Sequence, residues 1–300
     1  MNKVGKILFL SGFWIKALAL LAMTLSHICI LIEMLPYGIP SNQYIFLDYI
    51  GRIALPLFCF GIAEGVIYTK SFSKYSLRLG IMASLISTVL LVANFIDVAG
   101  AETFTHFGNI YLDLLLGALA VWLLKQDKVY LKPLAILPIG VSITSFVVSS
   151  LESARVYESI DWFPWFLRTQ YGFYGVLLIL LFFFASKLSE AILNSYSSKM
   201  GLEKDVIFSP GSERFLANLF SVVFLIGGTI LYYSISNECA PRSIPSYQCY
   251  AMLAALPLFF YNGKRGYNAK WFQMGCYVYY PLHMVIILGI YLILENYIYL

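Results

Sequence analysis

Long apolar runs separated by short polar stretches make up most of the chain. An α-helix needs about 20 predominantly apolar residues to cross the hydrocarbon core of a bilayer. The apolar runs lie near residues 12–35, 45–68, 76–96, 107–124, 130–150, 170–188, 214–236, 247–261 and 273–294. The pattern predicts an all-α fold, a polytopic integral membrane bundle of nine transmembrane helices that forms a single domain over residues 1–300. Because the run at 247–261 is short, counts from eight to ten stay open.

The composition excludes a water-soluble protein. Of the 300 residues, 60% are hydrophobic and only 12% are charged, whereas a soluble domain has about 25% charged residues. There is too little polar side-chain surface to face water on all sides, so the lipid bilayer is the first predicted partner. In a chain of this class the net charge of +4 does not indicate nucleic-acid binding, and no nucleic acid is expected as a partner.

Lysine and arginine concentrate in every second segment between the predicted helices. These residues are Lys3, Lys6, Lys70, Lys74, Arg78, Lys125, Lys128, Lys132, Lys187, Lys199, Lys204, Arg214, Lys264, Arg265 and Lys270. The alternate loops contain Arg155, Arg168 and Arg242. Since the cytoplasmic loops of membrane proteins carry the excess of lysine and arginine, this asymmetry predicts a cytoplasmic amino terminus.

Six ionisable side chains lie inside the predicted helices: Lys16, His27, Arg52, Glu64, Asp113 and His283. Each costs about 2.5–3.5 kcal/mol on insertion scales, which makes it a candidate for function. Together they predict a polar chamber within the membrane with an imidazole in its middle. Snorkelling, ion pairing or helix packing explains any one of them equally well.

Lys16 and His27 share one face of the first helix. Eleven residues complete nearly three helical turns and separate the two side chains by about 16 Å along the axis. His27 lies just beyond the predicted midplane, and Arg52 in the second helix lies at a similar depth. Asp48 lies near the end of that second helix, where we expect it to be in contact with water.

An imidazole beside a guanidinium suits two kinds of chemistry. The imidazole can act as a general base on an amine or a hydroxyl, and the guanidinium can stabilise a phosphate or an oxyanion, as acyl transfer requires. The same groups suit a proton-coupled transport site, and the residues alone leave both functions open. No metal is expected, because His27, His106 and His283 lack the spacing of metal ligands.

Cys239 and Cys249 share one predicted outer loop, "NECAPRSIPSYQCY". Disulfides persist outside the cytoplasm, so a bridge between the two residues is possible. Two free thiols are equally compatible with the sequence.

Three stretches point to a family: "YIGRIALPLFCFGIAEGVIYTKSFSKYSLRL", "YGFYGVLLILLFF" and "ALPLFFYNGKRGYNAKWFQMGCYVYYPLHMVIIL". In them the chain resembles the TraX family of bacterial membrane proteins, named for a conjugative-pilus system in which a TraX protein N-acetylates pilin. The resemblance runs from about residue 16 to residue 292. That family is similar to the acyltransferase-three membrane acyltransferases, whose first helix carries a basic residue, ten intervening positions and a histidine. Lys16 and His27 have this spacing.

The resemblance implies a membrane acetyltransferase in the bacterial cytoplasmic (inner) membrane. Acetyl-CoA would enter from the cytoplasm, and the acceptor would be an amine or hydroxyl on the outer side, on a pilin-like amino terminus or a surface glycan. His27 would be the catalytic base, with Arg52 and Lys16 in the catalytic site. The substrate chamber would include Glu64, Asp113, Tyr171 and His283, and the donor would contact Asn262, Lys264, Arg265 and Arg78.

Two positions depart from the family pattern. Members usually carry aspartate directly before the histidine of the first helix, where this chain has Ser26. They also commonly carry aspartate before the tyrosine–glycine pair of the sixth helix, where this chain has Gln170. Both differences remove negative charge from the expected site, and Asp48 and Asp113 are the candidates for replacing it.

Two other functions stay open. A transporter or flippase of a small polar or lipid-linked solute would use the same residues as a proton-coupled site. A non-catalytic membrane component of a surface-assembly system would use them to hold helices together. Likewise, the loop at residues 262–266 is compatible with an ordinary positive-inside turn, and His283 with a packing role.

Overall fold

The structure, a computed structural model, describes residues 7–35, 39–95, 108–153, 160, 162–239 and 246–298. The α-helices are α1 (Gly12–Met34), α2 (Ile45–Gly51), α3 (Ala54–Tyr68), α4 (Phe72–Phe95), α5 (Ile110–Lys125), α6 (Ile136–Ser153), α7 (Phe173–Met200), α8 (Lys204–Ile207), α9 (Pro210–Cys239), α10 (Ala255–Phe259) and α11 (Lys270–Ile298). Short 3-10 helices cover Ser41–Gln43, Val129–Ala135, Trp165–Leu167 and Ser246–Ala254. Within these described ranges the β-pairing is an isolated bridge between Leu10 and Tyr261. The predicted all-α fold is confirmed.

Seven helical segments are long and apolar enough to cross a membrane. They are Gly12–Glu33, Ile45–Tyr68, Phe72–Val92, Val129–Ser153, Phe173–Met200, Pro210–Ser236 and Lys270–Leu294. Each coincides with one of the apolar runs of the sequence, and the chain is a multi-pass membrane protein.

The two remaining apolar runs form shorter helices. α5 has 16 residues, which rise about 24 Å and fall short of a hydrocarbon core about 30 Å thick. The run at 247–261 forms the 3-10 helix Ser246–Ala254 and then α10. Because a 3-10 helix rises about 2.0 Å per residue, this segment extends about 25 Å with few residues. In the part of the chain that the structure describes, the nine apolar runs thus correspond to seven long helices and two short helical segments.

The chain divides into two compact units. The first comprises Met1–Phe58, Leu188–Ile226 and Ser246–Leu300, and the second comprises Cys59–Lys187 and Gly227–Pro245. The helices α3, α7 and α9 contribute residues to both. A division by internal packing does not test whether the units fold or act separately, so the single domain over residues 1–300 stays a prediction.

In the first unit, α2 packs closely against the middle of α1. Gly51 makes this approach possible, because a Cβ at that position would lie 2.4 Å from the Cβ of Ser26. The helix is interrupted between α2 and α3, at Arg52 and the residue after it. Pro56 explains the interruption, since it has no N–H to donate to the Arg52 carbonyl and its ring clashes with that carbonyl in a continuous helix. The helix is therefore broken four residues before Pro56.

The same unit packs α11 along one face of α1. The contact includes Leu20, Ala22, Met23, Ile53, Ala54, Phe58, Tyr279 and Tyr280. The α1 face that the sequence places between Lys16 and His27 is therefore a packing face over part of its length. Elsewhere α11 exposes apolar side chains such as Val278, Leu282 and Val285, as expected of a helix surrounded by lipid.

In the second unit, a buried carboxylate is bound by backbone groups. Asp113 of α5 is fully buried and accepts hydrogen bonds from the backbone N–H groups of Gln170 and Tyr171 at 2.7 and 3.3 Å. Gly175 lies against it, and a Cβ there would be 2.9 Å from Asp113 Oδ1. These contacts fix the beginning of α7 on α5.

An ion pair is also buried in the second unit. Arg168 is 5% exposed, and two of its nitrogens donate to the carboxylate of Glu152 at 2.5 and 2.7 Å. Glu152 also accepts the backbone N–H of Ile160 at 3.0 Å. The pair ties the end of α6 to the segment that leads into α7.

Candidate functional site

Two histidines from α1 and α11 meet in the first unit. His27 Nδ1 lies 2.7 Å from His283 Nε2. His283 Nδ1 lies 2.8 Å from the carbonyl oxygen of Tyr279, one turn earlier in α11. His283 is 5% exposed. The imidazoles of the first and last long helices are therefore direct neighbours.

Two tyrosines hold this histidine pair in place. The ring of Tyr279 is stacked on His283, with centroids 5.1 Å apart and planes 7° from parallel. Its hydroxyl lies 2.6 Å from Thr24 Oγ1 of α1. The ring of Tyr280 meets both imidazoles edge-on, 6.2 Å from His27 and 5.5 Å from His283. These contacts restrict the rotation of both imidazoles.

The carbonyl of Tyr279 fixes the direction of the hydrogen bonds. A carbonyl oxygen only accepts, so Nδ1 of His283 carries the hydrogen that it donates. In a neutral His283 the acceptor is then Nε2, and the bond to it comes from Nδ1–H of His27. A neutral His27 therefore has its lone pair on Nε2, the nitrogen that faces away from this bond. The arrangement leaves Nε2 of His27 able to accept a proton.

A buried ion pair lies next to His27. Asp48 is 5% exposed, and both of its carboxylate oxygens lie 2.6 Å from Nη2 of Arg52. Ser26, directly before His27, donates its hydroxyl hydrogen to Asp48 Oδ1 at 2.6 Å. Asp48 and Arg52 both interact electrostatically with the imidazole of His27. The expectation that Asp48 is in contact with water is wrong, because Gly51 lets α2 approach α1 so closely that Asp48 is covered.

Asp48 and Asp113 each contact one of the two positions at which this chain lacks the usual aspartate of the family. The carboxylate of Asp48 binds the side chain of Ser26, and the carboxylate of Asp113 binds the backbone of Gln170. In both cases the acid comes from a different helix than a family-type aspartate would. Whether these carboxylates replace the aspartates in function stays a prediction.

Gln248 is a further member of the site. Nη1 of Arg52 donates to Gln248 Oε1 at 3.3 Å, and Gln248 is 4% exposed. Its 3-10 helix is held on α2 by Tyr250, whose ring stacks on Tyr49 at 4.4 Å. Gln248 cannot be identified from the sequence, since an uncharged residue at the start of a short apolar run stands out little. We call Ser26, Asp48, Arg52 and Gln248 the Arg52 cluster.

The other predicted site residues lie elsewhere. Lys16 is exposed on α1, about 16 Å along the axis from His27. Four residues belong to the second unit: Glu64, Arg78, Asp113 and Tyr171. Of the predicted catalytic and chamber residues, the first unit thus brings together His27, Arg52 and His283. The roles assigned to all of these residues stay predictions.

The loop Asn262–Gly266 lies at the amino-terminal end of α1. The first backbone N–H groups of α1, at Gly12 and Phe13, donate to the carbonyl oxygens of Lys264 and Arg265 at 2.8 and 3.0 Å. These bonds satisfy donors that have no partner within the helix. The side chains of Lys264 and Arg265 are exposed. The loop and the start of α1, both predicted to be cytoplasmic, therefore lie at the same end of the first unit.

Within the described ranges no group of three His, Cys, Asp or Glu side chains is arranged to hold a metal ion. Cys249 is a free thiol, so the bridge to Cys239 is not formed there. The side chain of Cys239 itself lies outside the described residues.

Comparison with known proteins identifies the family. A sequence model described as TraX protein matches residues 11–198, which include His27, Asp48 and Arg52. A curated relative, "Probable fimbrial assembly protein FimC, serogroup H1" of Dichelobacter nodosus, is 34% identical over 114 residues. These residues are 37% of this chain and 45% of the relative, so the chain spans less than half of that protein. No solved structure matches the chain. Since the family match covers more than half of the chain, this multi-pass bacterial membrane protein belongs to the TraX family.

Proposed function

We propose that the protein is an acetyltransferase of the bacterial cytoplasmic membrane. It moves an acetyl group from cytoplasmic acetyl-CoA to an amine or hydroxyl of an acceptor on the outer side. The observation that carries the proposal is the histidine pair, because its hydrogen bonds leave Nε2 of His27 as an acceptor for a proton. A base oriented through its other ring nitrogen is the arrangement that general-base catalysis requires.

The proposed reaction is a nucleophilic acyl substitution. Nε2 of His27 takes the proton of the acceptor N–H or O–H while the acceptor atom forms a bond to the thioester carbonyl carbon. The carbonyl oxygen becomes an oxyanion, which needs hydrogen-bond donors or positive charge nearby. When the oxyanion collapses, the carbon–sulfur bond breaks and the CoA thiolate leaves. The proton on His27 then passes to the thiolate, which restores the base.

The charges of the first unit support this reaction. Asp48 neutralises Arg52 at 2.6 Å, so the Arg52 cluster adds no net charge beside the imidazole. A neutral surrounding lets His27 hold a proton transiently without repulsion from an unpaired cation. The same pair holds the guanidinium of Arg52 in a largely buried, fixed position, with Nη1 left to donate to Gln248.

The donor side is the loop Asn262–Gly266. Its exposed Lys264 and Arg265 are suited to the phosphates of CoA. The loop begins at the level of Gly12, and His27 lies about 22 Å farther along α1. The thioester at the end of the pantetheine arm would have to cover this distance. Arg78 belongs to the second unit and is exposed. Its proposed contact with the donor is argued from the sequence alone.

The relatives support one class of acceptor. The family match and the name of the fimbrial assembly relative favour a pilin-like protein as the acceptor. An amino terminus of pilin supplies the amine. A surface glycan supplies a hydroxyl and is the second acceptor to test.

The test measures acetyl transfer by the purified protein in lipid nanodiscs. The acyl donor is labelled acetyl-CoA, and the acceptors are a synthetic peptide with a free α-amine and a surface-glycan fraction. Release of the CoA thiol gives a second readout that does not depend on the acceptor. His27→Asn keeps a side-chain N–H close to the position of Nδ1 but has no second ring nitrogen. We expect it to lower kcat by about 100-fold to 10,000-fold.

The control is Gln126→Asn, at a residue of the second unit whose Nε2 donates to the Trp122 carbonyl at 2.8 Å, which should leave kcat unchanged. Transfer at the wild-type rate by His27→Asn would refute the role of His27 as the base. Absence of labelled product and of thiol release with the wild-type protein would refute the acetyltransferase function itself. Movement of a solute across the membrane in place of transfer would then favour a transporter.

A further inference from the structure

The side-chain amide of Gln248 has a fixed orientation. Its partner, Nη1 of Arg52, lies 3.3 Å away. A guanidinium has only donors, so the amide must turn its oxygen toward Arg52. The Nε2–H2 group of Gln248 therefore points away from the arginine.

That amide nitrogen is buried without a protein partner. Gln248 is 4% exposed, and Nε2 has no hydrogen bond to any part of the chain that the structure describes. Buried polar groups are nearly always hydrogen-bonded, and an unpaired donor is costly, so an exception needs an explanation. A donor that is held in a fixed direction and left unpaired is ready to bind an acceptor atom of a ligand.

The chain holds this amide rigidly within the Arg52 cluster, which adjoins His27 through Ser26. The 3-10 helix that carries Gln248 is fixed by the stacked rings of Tyr250 and Tyr49, and Ala251 behind it is fully buried. A continuous series of contacts leads from the amide through Arg52 and Asp48 to Ser26, and His27 follows Ser26 in α1.

We infer that Nε2–H of Gln248 donates a hydrogen bond to the carbonyl oxygen of the acyl donor, which becomes the oxyanion during transfer. This inference rests on the proposed acetyltransferase function and names the group that binds the oxyanion. Arg52 is then a positioning residue for Gln248. Its hydrogen bond to Oε1 draws electron density from the amide, which makes the N–H a stronger donor. The polarised amide stabilises the oxyanion, while Asp48 holds the guanidinium in place.

The first test is Gln248→Glu. A carboxylate keeps an oxygen for Arg52 but replaces the N–H2 group with a second acceptor. Loss of one oxyanion donor lowers kcat by about 100-fold or more in known cases, and we expect that loss here with KM for acetyl-CoA little changed. If Gln248 only supports Arg52, the carboxylate should bind the guanidinium at least as well, and kcat should be retained. Retained kcat would overturn the inference.

The second test asks whether the donor acts on the carbonyl oxygen. Acetyl-CoA is compared with its dithioester analogue, in which sulfur, a weak hydrogen-bond acceptor, replaces that oxygen. The wild-type protein should prefer the oxygen compound strongly. In Gln248→Leu, measured on whatever activity remains in correctly folded protein, the preference should fall toward one. An unchanged preference would overturn the inference even if the rate is lower.

Gln126→Glu is the matched control. Gln126→Glu changes a glutamine of the second unit whose Nε2 donates to the Trp122 carbonyl at 2.8 Å, and it should leave kcat and the oxygen preference unchanged. Lack of any transfer by the wild-type protein would refute the proposed function and this role together. Wild-type transfer with unaffected Gln248 variants would refute this role alone.

Discussion

Each unit buries an arginine against a carboxylate, but the two carboxylates are held in different ways. In the second unit, Glu152 binds Arg168 and also a backbone N–H, that of Ile160. In the first unit, Asp48 binds Arg52 and also a side chain, the hydroxyl of Ser26. A backbone partner ties the acid to the course of the chain, whereas a side-chain partner can rotate away.

The difference teaches which of the two ion pairs suits chemistry. The pair of Arg168 and Glu152 joins the end of α6 to the segment before α7, and its loss would free that segment. The Arg52 cluster instead joins side chains from α1, α2 and the 3-10 helix at Ser246–Ala254, beside a histidine and with an unpaired donor on Gln248. Buried pairs are weak evidence for stability by themselves, so the surroundings of each pair decide its role.

The largest expected effect comes from breaking each pair in turn. Asp48→Asn and Glu152→Gln both leave an arginine without its counter-charge, and each should destabilise the protein by about 3–5 kcal/mol. We expect kcat for acetyl transfer, measured per folded molecule, to fall at least about tenfold only for Asp48→Asn, because only its arginine orients a group at the site. Thermal unfolding in detergent gives the stability. Equal loss of kcat in both variants would erase the distinction between the pairs.

The next prediction tests whether the carboxylate of Asp48 can be replaced by one at position 26, where family members usually carry aspartate. Ser26→Asp puts a second carboxylate at hydrogen-bonding distance from Asp48 and should cost about 2–4 kcal/mol through repulsion of like charges. The double variant Ser26→Asp/Asp48→Ser should recover most of the stability and the transfer rate. Gln170→Asp is the counterpart in the second unit. Gln170 is exposed, so we expect a near-neutral result there. A double variant no better than Ser26→Asp alone would show that the two positions are not equivalent.

A smaller effect is expected from glycines that allow close approach. Gly51→Ala brings a Cβ to 2.4 Å from Ser26, and Gly108→Ala brings one to 2.2 Å from the backbone oxygen of Thr169, next to Arg168. Each should cost about 1–3 kcal/mol through overpacking. Only Gly51→Ala should also lower the transfer rate, because it displaces α2 and with it Asp48. The control is Gly61→Ala, where a Cβ would meet nothing within 4 Å.

The smallest effect concerns single hydroxyl groups. Ser26→Ala removes the hydrogen bond to Asp48, and Ser145→Ala removes the acceptor of the Thr169 backbone N–H at 2.8 Å. Each should cost about 1 kcal/mol in stability. A two- to tenfold lower kcat, on the order of the same energy, should accompany Ser26→Ala but not Ser145→Ala. A rate loss confined to Ser145→Ala would contradict the assignment of the site to the first unit.

Much of the fold could be predicted from the sequence because hydropathy is a local property. Each of the seven long helices appears as an apolar run, and Pro56 indicates the break before α3. The short segment at 246–259 was harder to interpret. The distance that this segment spans depends on its 3-10 geometry, which has a larger rise per residue than an α-helix. Hydrogen bonds and packing decide that geometry, and the apolar composition does not reveal it.

The candidate site was predictable only in part. His27, Arg52 and His283 stand out because ionisable groups are costly in a membrane. Asp48 has a signal of its own in the sequence: it precedes Arg52 by four residues, the spacing of an ion pair on a helix. Gln248 carried no comparable signal. Its importance depends on which way its amide is turned, and the contact with Arg52 decides that.

The sequence by itself determined that this protein crosses the membrane several times, where its long helices lie and which side chains are costly to bury. These properties depend on the transfer of local segments from water to lipid. The tertiary structure decided which of those side chains meet. His27 and His283 are separated by most of the chain, and the burial of Asp48 depends on a glycine that fits one particular neighbouring helix. Such contacts depend on packing between distant segments, which no local pattern of residues specifies.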